Sequence, residues 1–192
     1  MSIRECVRPG GRSARVQESV HKAVRELVAE IGRPQLTVPL IAARAGVTPS
    51  TIYRRWGDLS ELLADVAVER LRPDGEPADT GSLSTDLHAW GEQFFEEMTS
   101  EPGMAMVRDV MASASDGGWQ NQCAAYIREQ IAVILDRAAL RGEAAPDVDK
   151  VMDRFVAPII YRNLFDSQPM GAERARALMQ SCLDEKTPKF AG

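Results

Sequence analysis

The side chains best suited to chemistry lie together in TVPLIAARAGVTPSTIYRRWGDLSELLADVAVERL, residues Thr37 to Leu71. Within it Thr48, Ser50, Thr51 and Tyr53 offer hydroxyls, and Arg54 and Arg55 offer planar guanidinium forks. Hydroxyls and guanidinium groups hydrogen-bond phosphate oxygens, and a guanidinium also matches the paired acceptors on a guanine edge. Nothing comparable is assembled for catalysis. Histidine occurs only at His21 and His88. Asp86 and His88 stand two apart on a helical pattern and so point in different directions. No Gly-rich phosphate loop, metal-ligand spacing or nucleophile motif occurs. The expectation is a chain that is not an enzyme and uses no metal or cofactor.

The elements that must position those groups can be read residue by residue. Thr37 is placed to cap a short helix and Pro39 sits in its first turn, where a missing N–H costs nothing. Leu40, Ile41 and Ala45 are expected inside, with small Ala42 and Ala43 letting a neighbour approach. Gly46 supplies a left-handed terminator, and Val47 plugs the space between two helices. Thr48 is expected to cap the next helix and Pro49 to open it. Ile52 and Trp56, four apart, face inward, which leaves Ser50, Thr51, Tyr53, Arg54 and Arg55 outside. A short helix with that exposed N-terminal face is built to enter a major groove. Upstream, Val16, Val20, Ala23, Val24, Leu27, Val28 and Ile31 form one apolar stripe, with Ser13 as the expected N-cap and Gly32 as the terminator. Arg4, Arg8, Arg12 and Arg15 precede it. They read either as solvated charges on a frayed end or as a basic arm reaching phosphates or a minor groove.

At these residues a resemblance becomes specific. The run IAARAGVTPSTIYRRWGDLSELL, Ile41 to Leu63, is similar to the DNA-binding domain of the tetracycline-repressor (TetR) family of bacterial regulators. The match extends over roughly Val16 to Leu71. RAALRGEAAPDVDKVMDRFVAPIIYRNLF also resembles a C-terminal pattern of that family. One departure stands out: the family often carries a phosphate-touching Lys near the Glu-Leu-Leu, where this chain has Leu59. The resemblance implies an all-α homodimer. Its N-terminal helix-turn-helix domain reads double-stranded operator DNA, and its C-terminal helical domain binds a small-molecule effector and dimerises. The residues expected at DNA are Arg12, Arg15, Thr37, Thr48, Pro49, Ser50, Thr51, Tyr53, Arg54 and Arg55. Of these, Tyr53 and Thr48 are assigned to phosphates, and Arg54 and Ser50 to bases.

Composition agrees once it is divided. The chain of 192 residues carries a net charge of −5, but Met1 to Trp56 hold ten Lys or Arg against four Asp or Glu, and the remainder carries −11. A basic head on an acidic body is the asymmetry a DNA reader on a sensor would show. RPDGEPADTGS, after Leu71, marks the boundary, giving a head at residues 1–72 and a body at 73–192. No run is long or apolar enough to span a membrane and no signal-peptide core is present, so the cytoplasm is the expected compartment. Cys6, Cys123 and Cys182 are too widely spaced for a disulfide framework or metal site, and Cys123 is expected as a buried free thiol.

The body reads as helices. One covers Leu83 to Thr99; another opens at Pro102 and breaks at Gly117 and Gly118. A third runs from Trp119 to Leu140, a fourth follows Asp147, and a last spans Ala172 to Leu183. Pro158 is expected to kink the fourth helix. That helix is apolar nearly all round and must be buried on several sides. By the resemblance, Val156, Ile160, Leu164, Leu178 and Cys182 are expected near a dimer seam. Trp90, Phe94, Met98, Met104, Met111, Trp119, Tyr126, Phe155 and Ile159 are expected to line an adaptable apolar pocket. Polar candidates there are His88, Gln93, Gln122, Arg128, Gln130 and Arg162. Two alternatives stay open: a small-molecule carrier with a helical pocket, and a ligand-independent or activating regulator.

Overall fold

The structure, a computed structural model, describes residues 11–114, 118–166, 168 and 170–184. The expectations for Arg4, Cys6, Arg8 and the Arg12 side chain lie outside the described residues. Among the described residues every regular element is helical. The head comprises α1 (Arg12–Ile31), α2 (Val38–Ala45), α3 (Pro49–Trp56) and α4 (Leu59–Leu71). The body comprises α5 (Leu83–Thr99), α6 (Glu101–Ala112), α7 (Gly118–Leu140), α8 (Val148–Val151), α9 (Ala157–Phe165) and α10 (Ala172–Leu183).

Local chemistry sets the ends of these helices. Thr37 Oγ1 accepts the Leu40 N–H, and Pro39 occupies the first turn of α2. Gly46, at φ 69°, closes α2; its N–H donates to Ala43 O while Val47 N–H reaches back to Ala42 O. That pair of bonds defines a Schellman turn, which needs the left-handed conformation glycine adopts freely. Asp58, Ser82, Ser100 and Asp147 cap α4, α5, α6 and α8 through their side chains. Ser13 is not a cap. Helix α1 begins one residue before it, at Arg12, with Gly11 in the capping position.

Two cores carry the fold. In the head, Val20, Val24, Leu27, Ile41, Ile52, Trp56 and Leu62 pack together. Leu40 departs from expectation: it is 45% exposed, and Val38 takes the inward place beside Ile41. The body core joins α5, α7, α8, α9 and α10 around Leu87, Ile131, Ile134, Phe155, Ile159 and Met179. A smaller cluster of Ala67, Val68, Met106 and Val110 fastens α4 to α6, so head and body share packing. The connection between them is pinned as well. Arg137 donates to Pro77 O and Glu76, and Gln130 to Gly75 O. Asp86, which the sequence set beside His88, instead accepts from Thr80 and Arg141 within the body. Burial by itself would raise the Asp86 carboxyl, but those bonds hold it below the usual carboxylate range.

The helix expected to kink at Pro158 resolves differently. Between α8 and α9 lies a π-helical turn, Met152–Val156, in which Ala157 N–H reaches Met152 O. Proline has no N–H, and in a regular helix its ring would press on the carbonyl four residues back. Widening the preceding turn accommodates both. It also lets two consecutive side chains, Phe155 and Val156, point into the core.

Candidate nucleic-acid interface

Helix α3 presents its chemistry outward because Ile52 and Trp56 anchor the opposite face. At its N-terminus Thr48 does not form the expected side-chain cap. Its Oγ1 lies instead 2.9 Å from Ser50 Oγ and 3.0 Å from Thr51 Oγ1. Three hydroxyls thus surround a helix N-terminus whose backbone N–H groups attract anions, an arrangement suited to a phosphate. Pro49 at the first position removes an N–H that would otherwise be orphaned. Tyr53 and Arg54 stand exposed beyond this cluster. An open groove runs between the start of α1 and the α2–α3 turn, lined by Ser13, Val16, Val47, Thr48, Thr51, Arg54 and Arg55. Thr37 and Arg15 are exposed on the same head, although Thr37 is occupied in capping α2.

Arg55 has a different task from the one its position suggested. Its guanidinium donates to Ser13 O at 2.9 Å, Ser13 Oγ at 2.8 Å and Gln17 Oε1 at 2.6 Å. It also lies 5.1 Å from the centroid of the Trp56 ring. Arg55 therefore fastens α3 to α1 while still bordering the groove, and Arg54 stands outward beside it with no such bond to α1 among the described residues. Spacing could not separate two adjacent arginines; only the position of α1 does.

Beneath this sits a group that the sequence reading missed. Asp65 Oδ2 accepts from Trp56 Nε1 at 2.6 Å, His21 Nε2 at 2.9 Å and Gln17 Nε2 at 3.3 Å. One buried carboxylate oxygen thereby gathers donors from α1 and α3 onto α4. Burial alone would raise the Asp65 carboxyl; the bonds from His21 and Trp56 and the nearby Arg55 charge outweigh it, and the net shift is downward. A polar residue within the apolar run of α4 was the available signal. Leu59, where the resemblance leads one to expect a Lys, packs against the head core.

Body residues also grip the head at the start of α4 and between α1 and α2. Ser113 Oγ and Trp119 Nε1 each donate to Glu61 at 2.8 Å, and Arg33 pairs with Asp109.

The expected pocket and seam are redistributed. Trp90, Phe94 and Phe155 pack on one another, with centroids 5.3–6.0 Å apart. Met98 and Ile159 are buried in the same core, and Met104 is buried on α6. Trp119 and Tyr126 pack instead at the α4–α6 cluster, and Met111 is 61% exposed. The set therefore fills space and does not enclose it. A cleft of about 120 Å³ opens elsewhere, between α5 and α10, and of the expected residues Phe155 and the polar candidate His88 border it. At the expected seam, Val156 and Cys182 are buried inside the protomer. The π turn rotates Val156 inward, and Cys182 shares an inward face of α10 with Ala175 and Met179. Ile160, Leu164 and Leu178 remain half-buried. Tyr161 and Phe165, 62% and 70% exposed and 5.1 Å apart, extend the apolar surface of α9. Cys123, expected to be buried, is half-buried at the α4–α6 cluster, and Cys182 is buried; desolvation pushes both thiols up to about 11, so they are protonated near neutrality.

Known proteins share this arrangement. Residues 21–66 match the family described as bacterial regulatory proteins, tetR family, and residues 77–182 match the tetracyclin repressor-like C-terminal domain. The HTH-type transcriptional regulator Rv1556 of Mycobacterium tuberculosis is 29% identical over 82% of this chain and 80% of its own length. AqdR, an HTH-type transcriptional regulator of Rhodococcus erythropolis, is 26% identical over 72% and 68%. The crystal structure of the TetR family transcription regulator SCO0332 superposes with a TM-score of 0.69 at 27% identity, covering 90% of this chain and 99% of that one. A TetR-family regulator from Mesorhizobium loti, at 15% identity and a TM-score of 0.64, shares the fold over 90% and 97%. With an outward-facing reader helix on a head and a helical body that both match, the chain belongs to the TetR family and is a DNA-binding transcriptional regulator.

Proposed function

We propose that the chain acts in the cytoplasm as a homodimeric repressor that holds a palindromic operator and lets it go when the body binds a small, largely apolar molecule. The observation that carries the DNA part is the hydroxyl cluster of Thr48, Ser50 and Thr51 at the N-terminus of α3, with Tyr53 and Arg54 outward beside it. Thr48 and Tyr53 take phosphates, and Arg54 and Ser50 take base edges. Arg15, Thr37, Pro49 and Thr51 border the same surface. Arg55 acts by holding α3 against α1.

The dimer part is supported by the exposed apolar surface of α9, Tyr161 and Phe165, with half-buried Ile160 and Leu164 on the same helix and Leu178 half-buried on α10. Two heads on one dimer meet successive major grooves when about 34–36 Å apart. Release requires that the effector prefer the other head spacing by roughly 5 kcal/mol for a near-complete switch. Operator DNA must then weaken effector binding by the same factor.

In vitro selection from random duplex DNA, with the winners' affinity measured at two salt concentrations, tests this reading. A palindromic site is the expected product, bound by a protein that sediments as a dimer. Steeply salt-sensitive binding with no enriched sequence would overturn it.

A further inference from the structure

The cleft between α5 and α10 has the size and chemistry of a binding site. Its volume is about 120 Å³ and its floor is formed by Phe95, Phe155, Ala175 and Met179. The floor depends on a missing side chain. A Cβ at Gly91 would lie 2.6 Å from Met179 Cε and 3.0 Å from Phe155 Cζ, so glycine lets both approach α5. Phe155 belongs to the π turn, and its ring centroid lies 6.0 Å from both Trp90 and Phe94. Turns of this kind inside helices occur frequently at functional sites.

The rim is polar and selects a charge. Arg176 Nε lies 2.9 Å from Glu92 Oε1, so these two neutralise each other. Glu96 also lines the cleft, and among the described residues no cation pairs with it. His88 Nδ1 is 2.7 Å from the Ser84 carbonyl oxygen. A carbonyl oxygen only accepts, so in the neutral ring the proton sits on Nδ1 and Nε2 keeps its lone pair. Glu96 and His88 thus present acceptors above an apolar floor.

We infer that this cleft takes a small organic cation: a protonated amine on an apolar group no larger than about one aromatic ring. A dry cavity of ~150 Å³ accommodates benzene, so an open cleft of this size takes part or all of a ring. The apolar group rests on Phe155 and Met179, and the ammonium donates to Glu96, while His88, two turns earlier on α5, adds a second acceptor to the rim. An anion would meet Glu96 with no free cation to offset it. The inference rests on the ligand-released reading for its consequence, though not for binding itself. A ligand pressing on Phe155 and Met179 pushes on the π turn and α10, the helices that border the proposed seam, and from there reaches the spacing of the heads.

Benzylamine, benzyl alcohol and benzoate serve as matched probes on the full chain, with binding followed by calorimetry. Benzylamine is expected to bind about tenfold more tightly than the other two, the effect of a hydrogen bond to a charged group. Glu96→Gln, a surface change, should erase that preference, and Ala175→Leu, which fills the cleft, should abolish binding of all three. Equal binding of the three probes, no saturable binding, or binding unchanged in both variants would overturn the site. Operator affinity in saturating benzylamine separates the two readings. A loss in the wild type that Ala175→Leu prevents supports both. Cleft binding with no effect on DNA sustains the site and counts against ligand release.

Discussion

The head and the body bury their interiors by different means. In the head a single carboxylate, Asp65, draws Trp56, His21 and Gln17 onto one oxygen, and Arg55 adds a second polar clasp between α1 and α3. In the body the centre is apolar, with Trp90 stacked on Phe94 and Phe155 tilted against both, and its buried carboxylate, Asp86, is bonded at the N-terminal end of α5 to Thr80 and Arg141. Hydrogen bonds are directional, so they fix the orientation of a helix that must present side chains at set angles. Apolar packing constrains volume more than direction and tolerates substitutions of similar size. The difference teaches that the reader is held for geometry and the body for shape, and only the second leaves room for a site that can vary.

The sharpest way to break this comparison is to remove one centre at a time. Phe155→Ala should destabilise the body by about 3–5 kcal/mol, the range for deleting a buried aromatic. The chemical-denaturation midpoint measures it, and a change within 1 kcal/mol or so would mean the body core is not organised on that ring. Asp65→Ala comes next, at roughly 2–4 kcal/mol, because it strands the Trp56 and His21 donors in a buried space. Hydrogen exchange should place that loss in α1, α3 and α4 and leave α7 protected. Equal deprotection of head and body would show that the two do not differ as described.

Acid sharpens the same point. The Asp65 carboxyl is depressed in the folded head, so its stabilisation is present above the unfolded value of about 3.9 and disappears as pH falls through the lower folded value. The stability gap between wild type and Asp65→Asn should therefore be full at neutral pH and shrink below about pH 4. A gap that stayed constant down to pH 3 would remove the charged carboxylate from the explanation.

Smaller effects divide the two arginines. Arg54→Ala should weaken the selected operator by about 1–3 kcal/mol and relax preference at one base pair, with no change in melting. Arg55→Ala should lower the melting of the head and weaken specific and random DNA alike, because it loosens α3 from α1. Identical profiles for the two variants would undo the assignment. Smallest of all, Thr37→Ala should cost about 1 kcal/mol or less through loss of the cap on α2.

The head was legible because its signals are local. Thr37, Pro39, Gly46 and Pro49 set helix ends within a few residues of themselves, and the four-residue spacing of Ile52 and Trp56 fixed which face of α3 is outside. Two departures are between close neighbours: Leu40 yields its inward place to Val38, and Thr48 turns its hydroxyl to Ser50 and Thr51. Distant neighbours decided Arg55, which Ser13 and Gln17 of α1 hold. In the body the helices fell close to where apolar spacing put them. The expected pocket did not, because residues on separate helices share a cavity only if packing leaves one.

The sequence by itself determined an all-helical chain, a reader helix with its hydroxyls and Arg54 outside, and the division into a basic head and an acidic body. These follow from capping, periodicity and charge, which act over a few residues or need only be counted. Tertiary structure alone decided that Asp65 holds the head together, that Arg55 clasps α1, and that Val156 and Cys182 turn inward. It also decided that the open space lies between α5 and α10. Each of those depends on which side chains meet across long stretches of chain. One π turn before Pro158 is enough to change which of them do.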